Sequence, residues 1–122
     1  MQFRSDEHKR RFNDLCERDK TNIKDIERCS LFYIFSGTEL LYKNIEMLYD
    51  FEDHTIRLEA YNQAFLTGGT RSLIDLAFSL YGSEAECEVR FLFNTLDDRN
   101  SILALQAIKY RFQIPVEIDD LK

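Results

Sequence analysis

Leu31-Phe32-Tyr33-Ile34-Phe35 is apolar on every side of a helix. A helix with no polar face has to be wrapped by other elements. That one run therefore demands several packed neighbours and makes a central helix the expected organiser of the fold. Ser36-Gly37-Thr38 follows. Gly37 suits a C′ position, where positive φ carries no steric cost. Thr38 suits the N-cap of a next helix with Glu39 in its first turn. From Glu39 to Phe51, Leu41, Ile45 and Leu48 share one stripe, while Glu39, Lys43, Glu46 and Asp50 share another. This spacing predicts a single amphipathic helix through Phe51.

The remaining chain supplies the neighbours. Ser5 reads as the N-cap of a first helix with Asp6 and Glu7 in its first turn, and Phe12, Leu15 and Cys16 form its apolar face. Asp19 to Lys24 is polar and reads as a loop, with the central helix starting near Asp25. Glu52-Asp53-His54-Thr55 is an acidic turn. Ile56 to Glu59 alternates, which leaves room for one short strand or hairpin near residues 52–60. Tyr61, Ala64, Phe65 and Leu66 suggest a short helix. Thr67 to Ser72 reads as a break, followed by an apolar helix from Leu73 to Tyr81 that Gly82 ends. Ser83 to Glu88 is an acidic connector. Val89, Leu92, Phe93 and Leu96 mark a short helix. Asp97 or Asp98 caps a last long helix, whose expected core face is Ile102, Leu105, Ile108 and Phe112. The fold class expected is all-α, an irregular bundle of five to seven helices. Residues 1–112 form its single domain, and residues 113–122 form an acidic tail.

With 122 residues, 10 Phe and 6 Tyr, one core can be built without a disulfide or metal. A single Pro and four Gly disfavour a turn-rich sandwich. The net charge is −6 and uneven. Residues 1–28 carry 8 Lys/Arg against 7 Asp/Glu, and residues 29–122 carry 8 against 15. An acidic body disfavours direct nucleic-acid binding and suits a basic partner surface. The plainer reading of such acidity is solubility. Cys16, Cys29 and Cys87 are an odd, scattered set that reads as free thiols. The charged N-terminus does not resemble a signal peptide, and no apolar run reaches membrane-spanning length. The expectation is a complete cytoplasmic chain beginning at Met1.

Chemistry is thinly signalled. Gly68, Gly69, Thr70, Arg71 and Ser72 ahead of a helix form a candidate anion site, since glycines let N–H groups turn toward a ligand at a helix N-terminus. The run lacks the lysine of a P-loop, and a capped tight loop is its plainer reading. Asp50, Asp53 and His54 would hold a metal only if the helix continued to His54 and another carboxylate joined them. No nucleophile elbow is present. The Lys9-Arg10-Arg11 cluster reads as a solvated face. No catalytic residue, metal or cofactor is assigned.

Several segments together carry a likeness: Glu7-His8-Lys9 with Arg11-Phe12, Glu27-Arg28 with Leu31 to Ile34, Leu41-Tyr42, Tyr49-Asp50-Phe51, Thr70 to Leu73, and Leu76-Ala77 with Leu80-Tyr81. In these the chain resembles a family of small uncharacterised proteins from clostridia-like Gram-positive bacteria and their mobile elements. The resemblance implies a cytoplasmic accessory protein and carries over no functional residue. Two readings from different classes stand. The first is a non-enzymatic protein that binds another macromolecule, in its most concrete form an anti-CRISPR-like inhibitor of a bacterial defence system. It would use Glu46, Asp50, Glu52, Asp53, Glu84, Glu86 and Glu88 against a nucleic-acid-binding protein, acting as a monomer or homodimer. The alternative is a small-ligand binder or enzyme for a nucleotide or phosphorylated metabolite, using residues 68–72.

Overall fold

The computed structural model describes residues 1–63 and 66–115. It is an all-α irregular bundle with one short hairpin. The helices are α1 (Asp6–Asp19), α2 (Ile26–Gly37), α3 (Glu39–Lys43), α4 (Gly68–Leu80), α5 (Val89–Thr95) and α6 (Asp98–Phe112). Strands β1 (Tyr49–Asp50) and β2 (Thr55–Ile56) pair antiparallel, Tyr49 with Ile56 and Asp50 with Thr55. Short 3-10 turns cover Ile45–Met47 and Leu58–Asn62. Ala64 and Phe65, expected in a short helix, lie outside the described residues, as does the expected tail beyond Pro115.

α2 is the axis of the bundle. Every residue from Cys29 to Gly37 is buried, and α1, α3, α4 and α6 all pack against it. Phe32 meets Tyr49 edge-on at 5.0 Å between ring centroids, and Phe35 meets Phe78 of α4 at 6.1 Å. The caps follow the sequence signals. Ser5, Asp25, Thr38 and Asp97 each accept a backbone N–H at the start of their helices, satisfying donors that a helix leaves open. Gly82 ends α4's turn with φ +93°.

Four expectations are corrected. First, the amphipathic helix expected to run to Phe51 ends at Lys43. The 3-10 turn and β1 follow because Ile45, Leu48 and Tyr49 are buried by tertiary packing that a continuous helix would not reproduce. Second, Gly37 is the last residue of α2 and is not left-handed. A Cβ there would lie 2.6 Å from Leu103 Cδ1, so the glycine lets α6 approach α2. Third, residues 68–72 are helical, with Thr67 as the cap of α4. Fourth, the core face of α6 is Leu103, Ala104 and Ala107, whereas Ile102, Leu105 and Phe112 stay 52%, 36% and 59% exposed. The small Gly37 of α2 receives the bulky Leu103, and Ala104 and Ala107 are buried beside it.

The N-terminal residues strap these helices together. The Arg4 guanidinium donates to Gly37 O at 2.6 Å and to Arg99 O at 2.7 Å, joining the end of α2 to the start of α6. Tyr33 Oη donates to Gln2 O at 2.6 Å. His8 is buried beneath the strap. Its Nδ1 accepts the Arg4 N–H at 3.1 Å, and its Nε2–H donates to Tyr33 O at 2.9 Å. Burial pushes its pKa down to about 4.

Two predictions follow from these contacts. Gly37→Val should cost about 2 kcal/mol in urea unfolding, the usual scale for overpacking, and Leu103→Ala in the same chain should recover part of it. His8 is neutral when folded and ordinarily titrates near 6.5. The unfolded chain therefore takes up the extra proton between these values. The stability His8 confers is complete above pH 6.5 and declines toward pH 4, by about 1.4 kcal/mol per pH unit. The stability gap between the wild type and His8→Gln should accordingly narrow as pH falls through that window.

Candidate functional site

A densely connected polar group among the described residues is Asp19, the last residue of α1. Its side chain is 0% exposed. A carboxylate buried at a helix C-terminus opposes the dipole and needs compensation. Four side chains supply it. His54 Nδ1 donates at 2.6 Å and Tyr49 Oη at 3.0 Å. Thr21 Oγ1 donates as well, and Arg28 Nε lies 3.8 Å away. Burial, then the Asp19 charge, push the Tyr49 phenol far above its ordinary value, so it serves purely as a donor.

This centre fixes the hairpin. His54 sits at φ +56°, rare for a residue with a Cβ. Its carbonyl accepts from Arg28 Nη2 at 3.2 Å and Tyr81 Oη at 3.3 Å. Two polymer-distant elements, α2 and the end of α4, thus hold the turn in place. Asp50 accepts the N–H groups of Glu52 at 2.9 Å and Asp53 at 3.0 Å, and lies 3.5 Å from Arg57. The Asp53 N–H, with that of Glu52 and the Arg57 charge, holds its carboxyl below the usual value. Sequence reasoning missed Asp19 because it was placed in a polar loop. Thr21 two residues on and Arg28 in the next helix carry no distinctive spacing.

The acidic candidates divide by what they touch. Glu46 pairs with Arg18, which itself lies over the Phe51 ring. Asp50 is occupied in building the turn. Glu52 and Asp53 are exposed at that turn. Ser83 to Glu88 forms neither helix nor strand and bends at Glu84, with Ala85 and Cys87 packed inward and Glu84, Glu86 and Glu88 exposed. Glu88 lies 3.7 Å from Arg90, itself exposed. Tyr81 touches His54 and immediately precedes this segment, so the segment starts beside the turn.

The candidate anion site takes a different shape from the expected loop. Thr67 Oγ1 accepts the Thr70 N–H at 3.3 Å and contacts Thr70 Oγ1 at 2.9 Å. Arg71 lies over the Tyr61 ring at 5.4 Å. Ser72 is buried and bonded to Thr95 at 2.6 Å. Gly69 faces Thr95 O at 3.4 Å from its would-be Cβ, which gives that glycine a packing role. Asp50 and His54 do not share a helix face, since the helix does not reach them. No group of three or more metal-ligating side chains occurs among the described residues. Arg10 and Arg11 of the basic cluster both reach Glu7. The fold also brings Cys16 and Cys29 close enough to act on each other electrostatically, which their separation in sequence concealed.

Replacing Asp19 with Ala should leave Arg28, Tyr49 and His54 without their shared acceptor. The expected cost is about 3 kcal/mol in urea unfolding, as for breaking a buried pair. The Arg57 amide, which bonds Leu48 O at 2.9 Å, should also exchange faster.

No curated protein and no solved structure matches the chain. A family model matches residues 1–120, nearly the whole length, and by that match the chain belongs to the Family of unknown function (DUF6075).

Proposed function

We propose that this is a non-enzymatic protein that binds a basic surface on another macromolecule. The observation that supports this is the division among the acids. Those the fold needs, Asp19 and Asp50, are enclosed by donors. Glu52, Asp53, Glu84 and Glu86 make no ion pair among the described residues and are exposed, and Glu88 is exposed beside Arg90. A rigid base supports them, because Arg28 and Tyr81 tie the hairpin to α2 and α4. Like-charged side chains held close together raise the local potential and favour a partner of opposite sign. Such a row of exposed carboxylates suits a basic channel that otherwise receives a nucleic-acid backbone. An anti-CRISPR-like inhibitor acting in the cytoplasm is the concrete form of this reading. Among the described residues no helix is long and apolar enough to cross a membrane.

The test is capture by the tagged chain from bacterial lysate after nuclease treatment, compared with a variant carrying Lys at 52, 53, 84, 86 and 88. The wild type should retain a stoichiometric basic protein that about 0.5 M salt releases. The variant should keep its circular dichroism spectrum and lose the partner. Capture that survives both charge reversal and salt would contradict the proposal.

A further inference from the structure

α6 buries its small residues Ala104 and Ala107 with Leu103, and Ile108 packs against the core, while the bulky Ile102, Leu105 and Phe112 stay exposed. The outer stripe is Asp98, Ile102, Leu105, Lys109 and Phe112, of which Lys109 is half-buried and the others exposed. They are separated by four, three, four and three residues, which is the spacing of a coiled-coil seam. Scattered exposed apolar residues are ordinary, but a continuous seam at this spacing marks a packing surface.

The charges on this stripe identify its occupant. From one end it reads acid, apolar, apolar, base: Asp98, Ile102, Leu105, Lys109. Such a sequence is complementary to itself when two copies run antiparallel. Ile102 of each copy then faces Leu105 of the other, and Asp98 of each faces Lys109 of the other. An interface related by a two-fold axis requires this kind of self-matching. Lys109 also has a contact within its own chain. An ammonium carries three donors, so it can serve both. We infer that two copies of this chain pair through the outer stripe of α6, antiparallel, with Asp98 of one opposite Lys109 of the other. The exposed acids described above belong to other elements and stay free in this pair. The seam is short against the roughly 1,600 Å² of a standard interface, so the pair exchanges with monomer rather than being permanent.

Sedimentation equilibrium on the full chain, from about 5 to about 500 µM, tests this. The wild type should move from monomer toward dimer mass across that range. Leu105→Glu, at a position that is already part-exposed, should remain monomeric with an unchanged melting temperature. Asp98→Lys alone and Lys109→Asp alone should each raise Kd by about tenfold or more, and the two together should restore pairing. A wild type that stays monomeric throughout would overturn the inference. So would a dimer indifferent to Leu105→Glu, or single charge changes that the double variant fails to rescue.

Discussion

Everything in this fold depends on burying a helix that has no polar side. α2 carries three aromatic rings and two aliphatic chains in five consecutive residues. Fully burying each is favourable by roughly 1.5–3 kcal/mol. That gain is available only if neighbours close around the helix on every side. α1, α3, α4 and α6 do so, and each meets a different part of its circumference. The close approach of α6 at Gly37 and the aromatic contacts from Tyr49 and Phe78 are consequences of that demand. The N-terminal strap covers what the helices leave open at Tyr33.

The polar chemistry is organised by the same geometry. Packing α1 along α2 carries Asp19 into the interior, and Tyr49, His54, Thr21 and Arg28 converge on it. This centre uses the protein's buried acid to hold a turn whose own acids face outward. Stability and surface charge are thereby separated. The carboxylates that are structurally engaged are not the ones exposed at the turn and along residues 84–88. Residues 1–28, nearly neutral in sum, contribute mostly to the scaffold through Arg4, Asp19 and Arg28.

Much of this was legible in the chain, for identifiable reasons. Caps are local, so Ser5 and Thr38 could be read directly, Asp97 as one of two adjacent candidates, and Asp25 as the place where α2 begins. The all-apolar run required a central helix, and the glycine after Tyr81 ended α4 as expected. What failed was whatever depended on distant neighbours. Local periodicity favoured a helix through Asp50, but tertiary burial of Tyr49 and the pull of Asp19 made a hairpin. Periodicity also identified an apolar stripe on α6 without saying which way it points. The bulkier stripe was taken as the core, and of it Ile108 packs inward, while Leu103, seated at Gly37, is buried with Ala104 and Ala107. Gly37 was singled out correctly, yet the reason is a neighbour 66 positions along the chain. Of the candidate site, the glutamates at 84, 86 and 88 were visible as a run. That every second residue there is exposed required the packing of Ala85 and Cys87 to be seen.

The most direct measurement of the central claim is native-state hydrogen exchange followed residue by residue. If α2 is the axis that the rest encloses, the amides of Phe32 to Phe35 can open only when the whole chain unfolds. Their exchange free energies should then equal the global unfolding free energy and share its denaturant dependence. The hairpin and α5 should open at lower cost. Exchange of the α2 amides through a smaller opening than that of α4 or α6 would contradict the account.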